Sequence, residues 1–194
     1  MEGVVKQILN NHNMIFKVSK RMVRAVSDPQ LEENMTIGYF DGASQENGMR
    51  CGVGDTFHLS SSLQIFWKLN LGTRTNTMAE LVGLWVVLFL ARYFGVSHFQ
   101  IYGDSLVIIN WFTSKQRLNV IALDYWKERS LKLKNDFESI KVMHIYREHN
   151  RTTDLLSKDA LCLDRNCLVW WQQQEDRAGP FQIFRLSGLN MLSC

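Results

Sequence analysis

Residues 38–48 read GYFDGASQENG, an aspartate behind a short apolar run and ahead of small and polar residues. An Asp-Gly pair in such a place is ordinarily a turn, because glycine tolerates positive φ and aspartate bonds to its own backbone. Whether Asp41 opens a turn or an active site depends on what the rest of the chain brings beside it.

Three short extended runs, MTIGYFD at 35–41, CGVGDTF at 51–57 and LQIFWKLNL at 63–71, are separated by Gly, Ser and Asn clusters and predict a three-stranded antiparallel meander. Asn76 or Thr77 then caps a helix running to about Phe94, with Glu80 in its first turn and Gly95 at its end. FQIYG at 99–103 is a strand, and Ser105 caps a second helix to about Phe112. A third helix covers about Leu123–Asn135, KVMHIYRE at 141–148 is a strand, and a last helix covers about 152–161. The order β-β-β-α-β-α-α-β-α with right-handed crossovers gives an α/β fold. Its mixed sheet has five strands, three antiparallel and then two parallel, with helices on both faces.

Outside this block, residues 1–34 read as a basic helical arm and an acidic, proline-containing linker, residues 35–161 as the domain, and 162–194 as an appendage without a recognisable motif. The net charge of +3 is too small to identify a nucleic-acid binder from the whole-protein field. Cys51, Cys162, Cys167 and Cys194 lack the spacing of a zinc site and read as reduced thiols. No secretory signal opens the chain, so the expectation is an intracellular protein of nucleus or cytoplasm, with organelle targeting by the basic N-terminus as a weaker alternative. The apolar stretch MAELVGLWVVLFLA at 78–91 falls short of the roughly 20 residues that cross a bilayer and contains Glu80; it predicts a buried helix and no membrane partner.

Strand ends and the helix starts that follow them converge on one crevice in an open α/β sheet. That places Asp41, Glu80, Asp104 and Asp154 together. Crowded carboxylates repel unless cations neutralise them, and an all-oxygen set favours Mg²⁺, with Mn²⁺ as substitute, over zinc or copper. Two such ions activate a water and stabilise the leaving oxygen in phosphodiester cleavage. Each acid taken alone also has an ordinary reading, Asp104 as a helix cap and Glu80 as a first-turn acid. The joint arrangement, and a carboxylate inside an otherwise apolar helix, argue for the site.

FDGA at 40–43, TNTMAEL at 75–81, IYGDS at 101–105 and HIYREHNRTTDLLSKDAL at 144–161, in this order, resemble the type 1 ribonuclease H domains of the reverse-transcriptase-like branch found in plant retroelements. The resemblance implies a ribonuclease H fold in which Asp41, Glu80, Asp104 and Asp154 hold two Mg²⁺ ions and hydrolyse the RNA strand of an RNA/DNA hybrid. It implies hybrid contacts by Asn47, Thr75 and Asn76, by small residues Gly42, Ala43 and Ser44 that approach 2′-hydroxyls, and by Ser105, and it makes Asn150 the asparagine of the catalytic loop. It also has departures. SKQRLNVIA at 114–122 leaves no room for the basic handle of some bacterial members, although Lys115 and Arg117 remain. His149, directly before Asn150, is the candidate proton shuttle, and Thr153 stands where alanine is usual. Trp111, Tyr125 and Trp126 read as core rather than as stacking platforms.

A competing expectation is a domesticated module, catalytically weak or inactive, that binds nucleic acid or a protein partner. Residues 1–30 or 163–194 would be the contact with a protein partner, and the oligomeric state stays open. A related exonuclease fits less well, since Ala43 stands where such enzymes carry a second acid.

Overall fold

The structure is a computed structural model that describes residues 36–174 and 177–185. The basic arm, the linker and the last residues of the appendage lie outside them. Strands β1 (Thr36–Gln45), β2 (Arg50–His58) and β3 (Leu63–Gly72) form the antiparallel meander. Helix α1 (Asn76–Tyr93), strand β4 (His98–Gly103), helices α2 (Leu106–Phe112) and α3 (Asp124–Lys134), strand β5 (Ser139–His144) and helix α4 (Arg151–Ala160) follow. β4 lies parallel to β1 and β5 parallel to β4, as right-handed crossovers require.

The sheet is wider than five strands. The appendage supplies β6 (Cys167–Gln174), β7 (Arg177–Ala178) and β8 (Gln182–Arg185), making eight strands among the described residues, in the order β5-β4-β1-β2-β3-β6-β7, with β8 also on β6. β6 covers the edge of β3 in antiparallel register, and Phe66 stacks on its cross-strand partner Trp171 at 5.2 Å. Its sequence CLVWWQQQ is aromatic and β-branched enough for a strand. The extension is pinned at its root, where Asn70 donates to the carbonyl of Leu163 at 2.7 Å and the Asn166 N–H bonds the Asn70 carbonyl at 2.9 Å.

α1 is buried almost all round, against β1 and β2 on one side and α3 on the other, where Trp85 and Trp126 meet edge to face at 4.9 Å. Among the described residues no helix is long and apolar enough to cross a membrane. α4 packs on the opposite face of the sheet, over β2. Gly52 and Gly54 make that approach feasible, since a Cβ on either would come within 2.2 Å of the Ser157 backbone. The alternation CGVGDTF thus sorts residues by face: glycines toward α4, and Cys51, Val53, Asp55 and Phe57 toward the buried side, all fully enclosed. Trp126 is buried as expected of a core residue, whereas Tyr125 is 39% exposed.

Candidate active site

β1 runs on through Gln45, so Asp41 sits inside the strand rather than at its end. Residues 42–45 are paired with β2 and are not a loop. The turn comes later, at Glu46, Asn47 and Gly48, all with positive φ (52°, 55° and 91°). The ENG tripeptide rather than the Asp-Gly pair carries the turn chemistry of this hairpin. Gly42 serves a different need. Its missing side chain lets α1 begin against the strand, because a Cβ there would lie 2.3 Å from the Glu80 nitrogen. The cap of α1 is Thr75, whose hydroxyl accepts from the Met78 N–H at 3.2 Å, one residue earlier than the sequence suggests. With the cap at Thr75, Glu80 falls in the second turn and turns inward, 6% exposed.

Asp41, Glu80 and Asp104 each bring one carboxylate oxygen within 4.8 Å of the others. They line a cavity of about 190 Å³ together with Gly42, Ala43, Ser44 and Asn76. Burial pushes the Asp41 carboxyl up to about 8; the charges of Asp104 and Asp154 add to this, while a hydrogen bond from Ser157 opposes it. Burial likewise holds Glu80 well above the usual carboxylate range, with the neighbouring charges of Asp41 and Asp104 adding to it. Oε2 of Glu80 is enclosed and has no hydrogen-bond partner among the described residues. Asp41 and Glu80, whose ionisation burial and neighbouring charge oppose, together with the half-buried Asp104 and the orphaned oxygen of Glu80, suit a hard divalent cation, which would satisfy that oxygen and cancel the repulsion.

Asp154, the fourth expected acid, is not one of the cluster. It stands in the first turn of α4, where Arg147 Nε reaches its Oδ1 at 2.9 Å and Lys158 Nζ its Oδ2 at 2.5 Å. Burial pushes its carboxyl up, but the bonds from Lys158 and Arg147 outweigh that, and its pKa lies below the ordinary value. Arg147 and Lys158 themselves border the acid cavity.

The remaining candidates divide. Asn150 is buried between the strands and α4, donating to the Phe40 carbonyl at 3.0 Å and approaching Oδ1 of Asp104 at 3.5 Å. Ser105 precedes α2, and its carbonyl accepts from the Ile109 N–H at 3.1 Å. Asn47 and Thr75 lie on neighbouring exposed turns, joined where the Arg74 N–H bonds the Gly48 carbonyl at 2.9 Å. His149 does not line the acid cavity; it borders a second one, of about 300 Å³, with Tyr39, His58 and Phe66. Lys115 and Arg117 are exposed in the connection between α2 and α3.

Four residues escaped the sequence reading. Ser157 donates to Asp41, Arg147 and Lys158 hold Asp154, and Asp55 lies fully buried on β2 close enough to feel the charges of Asp41 and Glu80. Lys158 and Ser157 follow Asp154 at helical spacing, a signal that was available. Asp55 was legible as an acid in core register.

No curated protein matches the chain. Ribonuclease H1 from the halophilic archaeon Halobacterium salinarum is 27% identical over 66% of this chain and 98% of its own, with a TM-score of 0.62. The N-terminal ribonuclease H domain of a Mycobacterium tuberculosis protein, solved as a fusion with maltose-binding protein, shares 22% identity over 66% of this chain and 94% of its own, with a TM-score of 0.61. A third, LC11 ribonuclease H1 solved in complex with an RNA/DNA hybrid, shares 21% identity over 66% of this chain and 96% of its own, with a TM-score of 0.59. The family described as reverse transcriptase-like matches residues 43–160, and the chain belongs to that family, with a ribonuclease H fold.

Proposed function

We propose that this chain is a hydrolase that cuts the RNA strand of RNA/DNA hybrids with divalent metal ions, Mg²⁺ by preference, held on Asp41, Glu80 and Asp104 and completed by Asp154. The observation that carries this reading is the convergence of three carboxylate oxygens within 4.8 Å in a cavity open to solvent. Bound there, two ions would supply an activated water and charge stabilisation for the leaving oxygen.

The chain's own residues supply placement. Asn150, fixed to the Phe40 carbonyl, holds Asp104 from the α4 side. Ser44 and Asn76 line the cavity and offer hydrogen bonds to a sugar-phosphate strand, while the small residues Gly42 and Ala43 keep the wall low enough for a 2′-hydroxyl to approach. Asn47 and Thr75 extend this polar rim along the turn beside α1.

A labelled hybrid incubated with Mg²⁺, beside single-stranded RNA and duplex DNA, tests the proposal. Cleavage confined to the RNA of the hybrid and abolished in Asp104→Asn is the expected result. Cleavage that persists in Asp104→Asn would overturn the site. A second reading, a module that binds hybrid without cutting it, is favoured by the pairing of Asp154 with two cations; its signature is retained hybrid affinity with no turnover.

A further inference from the structure

Both oxygens of the Asp154 carboxylate are engaged by cations. Arg147 Nε donates to Oδ1 at 2.9 Å, with Nη2 of the same guanidinium on that oxygen as well, and Lys158 Nζ lies 2.5 Å from Oδ2. The acid is the sheltered partner. Its side chain is 13% exposed, against 63% for Arg147 and 45% for Lys158, so two long side chains reach from solvent over it. Both also border the cavity of the three clustered acids. Asp154 is close enough to that cavity for its charge to act on Asp41.

Cations that fill the lone pairs of a carboxylate compete with any metal ion for the same oxygens. Asp41, Glu80 and Asp104 face no such competitor at this range; among the described residues none of them is in an ion pair. We infer that Arg147 and Lys158 form a releasable clamp that makes divalent-ion loading stepwise: the three-acid cluster takes an ion as it stands, and Asp154 becomes a ligand only after both cations let it go. The inference rests on the metal reading above. The clamp is releasable because both cations reach in from solvent on long side chains, and ion pairs made at a protein surface are held weakly. A nucleic-acid phosphate offers both cations an alternative partner, the guanidinium above all, which matches phosphate oxygens bidentately. Binding of a strand would then free the fourth acid at the moment a second ion is needed.

Calorimetric titration of the full chain with Mn²⁺, without nucleic acid, tests this by a readout independent of turnover. The wild-type chain should bind one ion, with any second at least about tenfold weaker, the scale set by two exposed ion pairs. Arg147→Met combined with Lys158→Met should tighten the second site about tenfold and leave the first within a factor of about three. Adding Asp154→Asn should remove that gain. Equal tightening of both sites would mean a general loss of positive charge and would overturn the clamp, as would no change at either. A folded wild-type chain that binds no Mn²⁺ would instead remove the metal reading itself, and the clamp with it.

Discussion

Ser157 donates a hydroxyl hydrogen bond to Oδ2 of Asp41, so helix α4 is tied to strand β1 through one of the three clustered carboxylates. This bond lowers the Asp41 pKa against the upward push of burial. Removing it with Ser157→Ala leaves a buried acceptor unpaired, at a cost of about 1–3 kcal/mol. Urea unfolding of the metal-free chain should show that loss, and NMR titration of the Asp41 carboxyl should show its pKa rising further. An unchanged pKa would mean that Ser157 is only a packing residue.

Asp55 gives the opposite expectation. It is fully buried on β2, neither oxygen has a hydrogen-bond partner among the described residues, and burial holds its pKa well above the usual range, with the charges of Asp41 and Glu80 adding to it. An unpartnered buried carboxyl costs about 1–3 kcal/mol relative to an apolar group of similar shape. Asp55→Val, a β-branched residue suited to the strand, should raise the urea midpoint and add about 1–2 kcal/mol with an unchanged denaturant slope. A loss of stability would show that Asp55 has a role the hydrogen-bond pattern conceals.

The strands and helices of residues 36–160 were legible because period-2 and period-3.6 patterns alternate cleanly, and because Gly and Asn punctuate them. What misled was local chemistry that tertiary structure overrides. Asp41-Gly42 has the composition of a turn, but Gly42 is needed for the approach of α1, and the reversal falls to Glu46–Gly48. The appendage was opaque for a related reason. CLVWWQQQ is strand-like, but its meaning depends on the uncovered edge of β3, which no local pattern announces. Within the site, the convergence of Asp41, Glu80 and Asp104 followed from strand order, whereas the pairing of Asp154 depends on the rotamers of Arg147 and Lys158, and periodicity does not encode rotamers.

Thr153, the departure from alanine before Asp154, has a structural role. Its hydroxyl donates to the Asn150 carbonyl at 2.9 Å and also lies against Oδ1 of Asn150, whose amide nitrogen bonds the Phe40 carbonyl. The side chain therefore orients the amide that approaches Asp104. Thr153→Ala should cost about 1 kcal/mol in thermal or urea unfolding, and Thr153→Ser should restore most of it. Equal loss in both variants would assign the effect to the methyl group and to packing.

The raised pKa of Asp41 predicts how stability varies with pH and metal. In the unfolded chain the group titrates near 3.9, and in the folded chain at about 8. The folded state therefore keeps a proton that the unfolded state releases between these values. The stability this confers is fully present below about pH 4 and is lost as pH rises through 8. Glu80 is shifted in the same direction, while Asp154, lowered by its cations, acts in the acid range instead. Scanning calorimetry of the metal-free chain should give a lower Tm at pH 9 than at pH 5, and Asp41→Asn should flatten the difference. On the proposed metal reading, Mg²⁺ would replace the protons as the neutralising charge, so its effect should grow with pH. At a hundred times its dissociation constant it adds about 2.7 kcal/mol, or about 5–10 °C in Tm for a chain of this size. If Mg²⁺ left Tm unchanged at every pH while the chain stayed folded, the three acids would be a buried, proton-sharing cluster rather than a metal site.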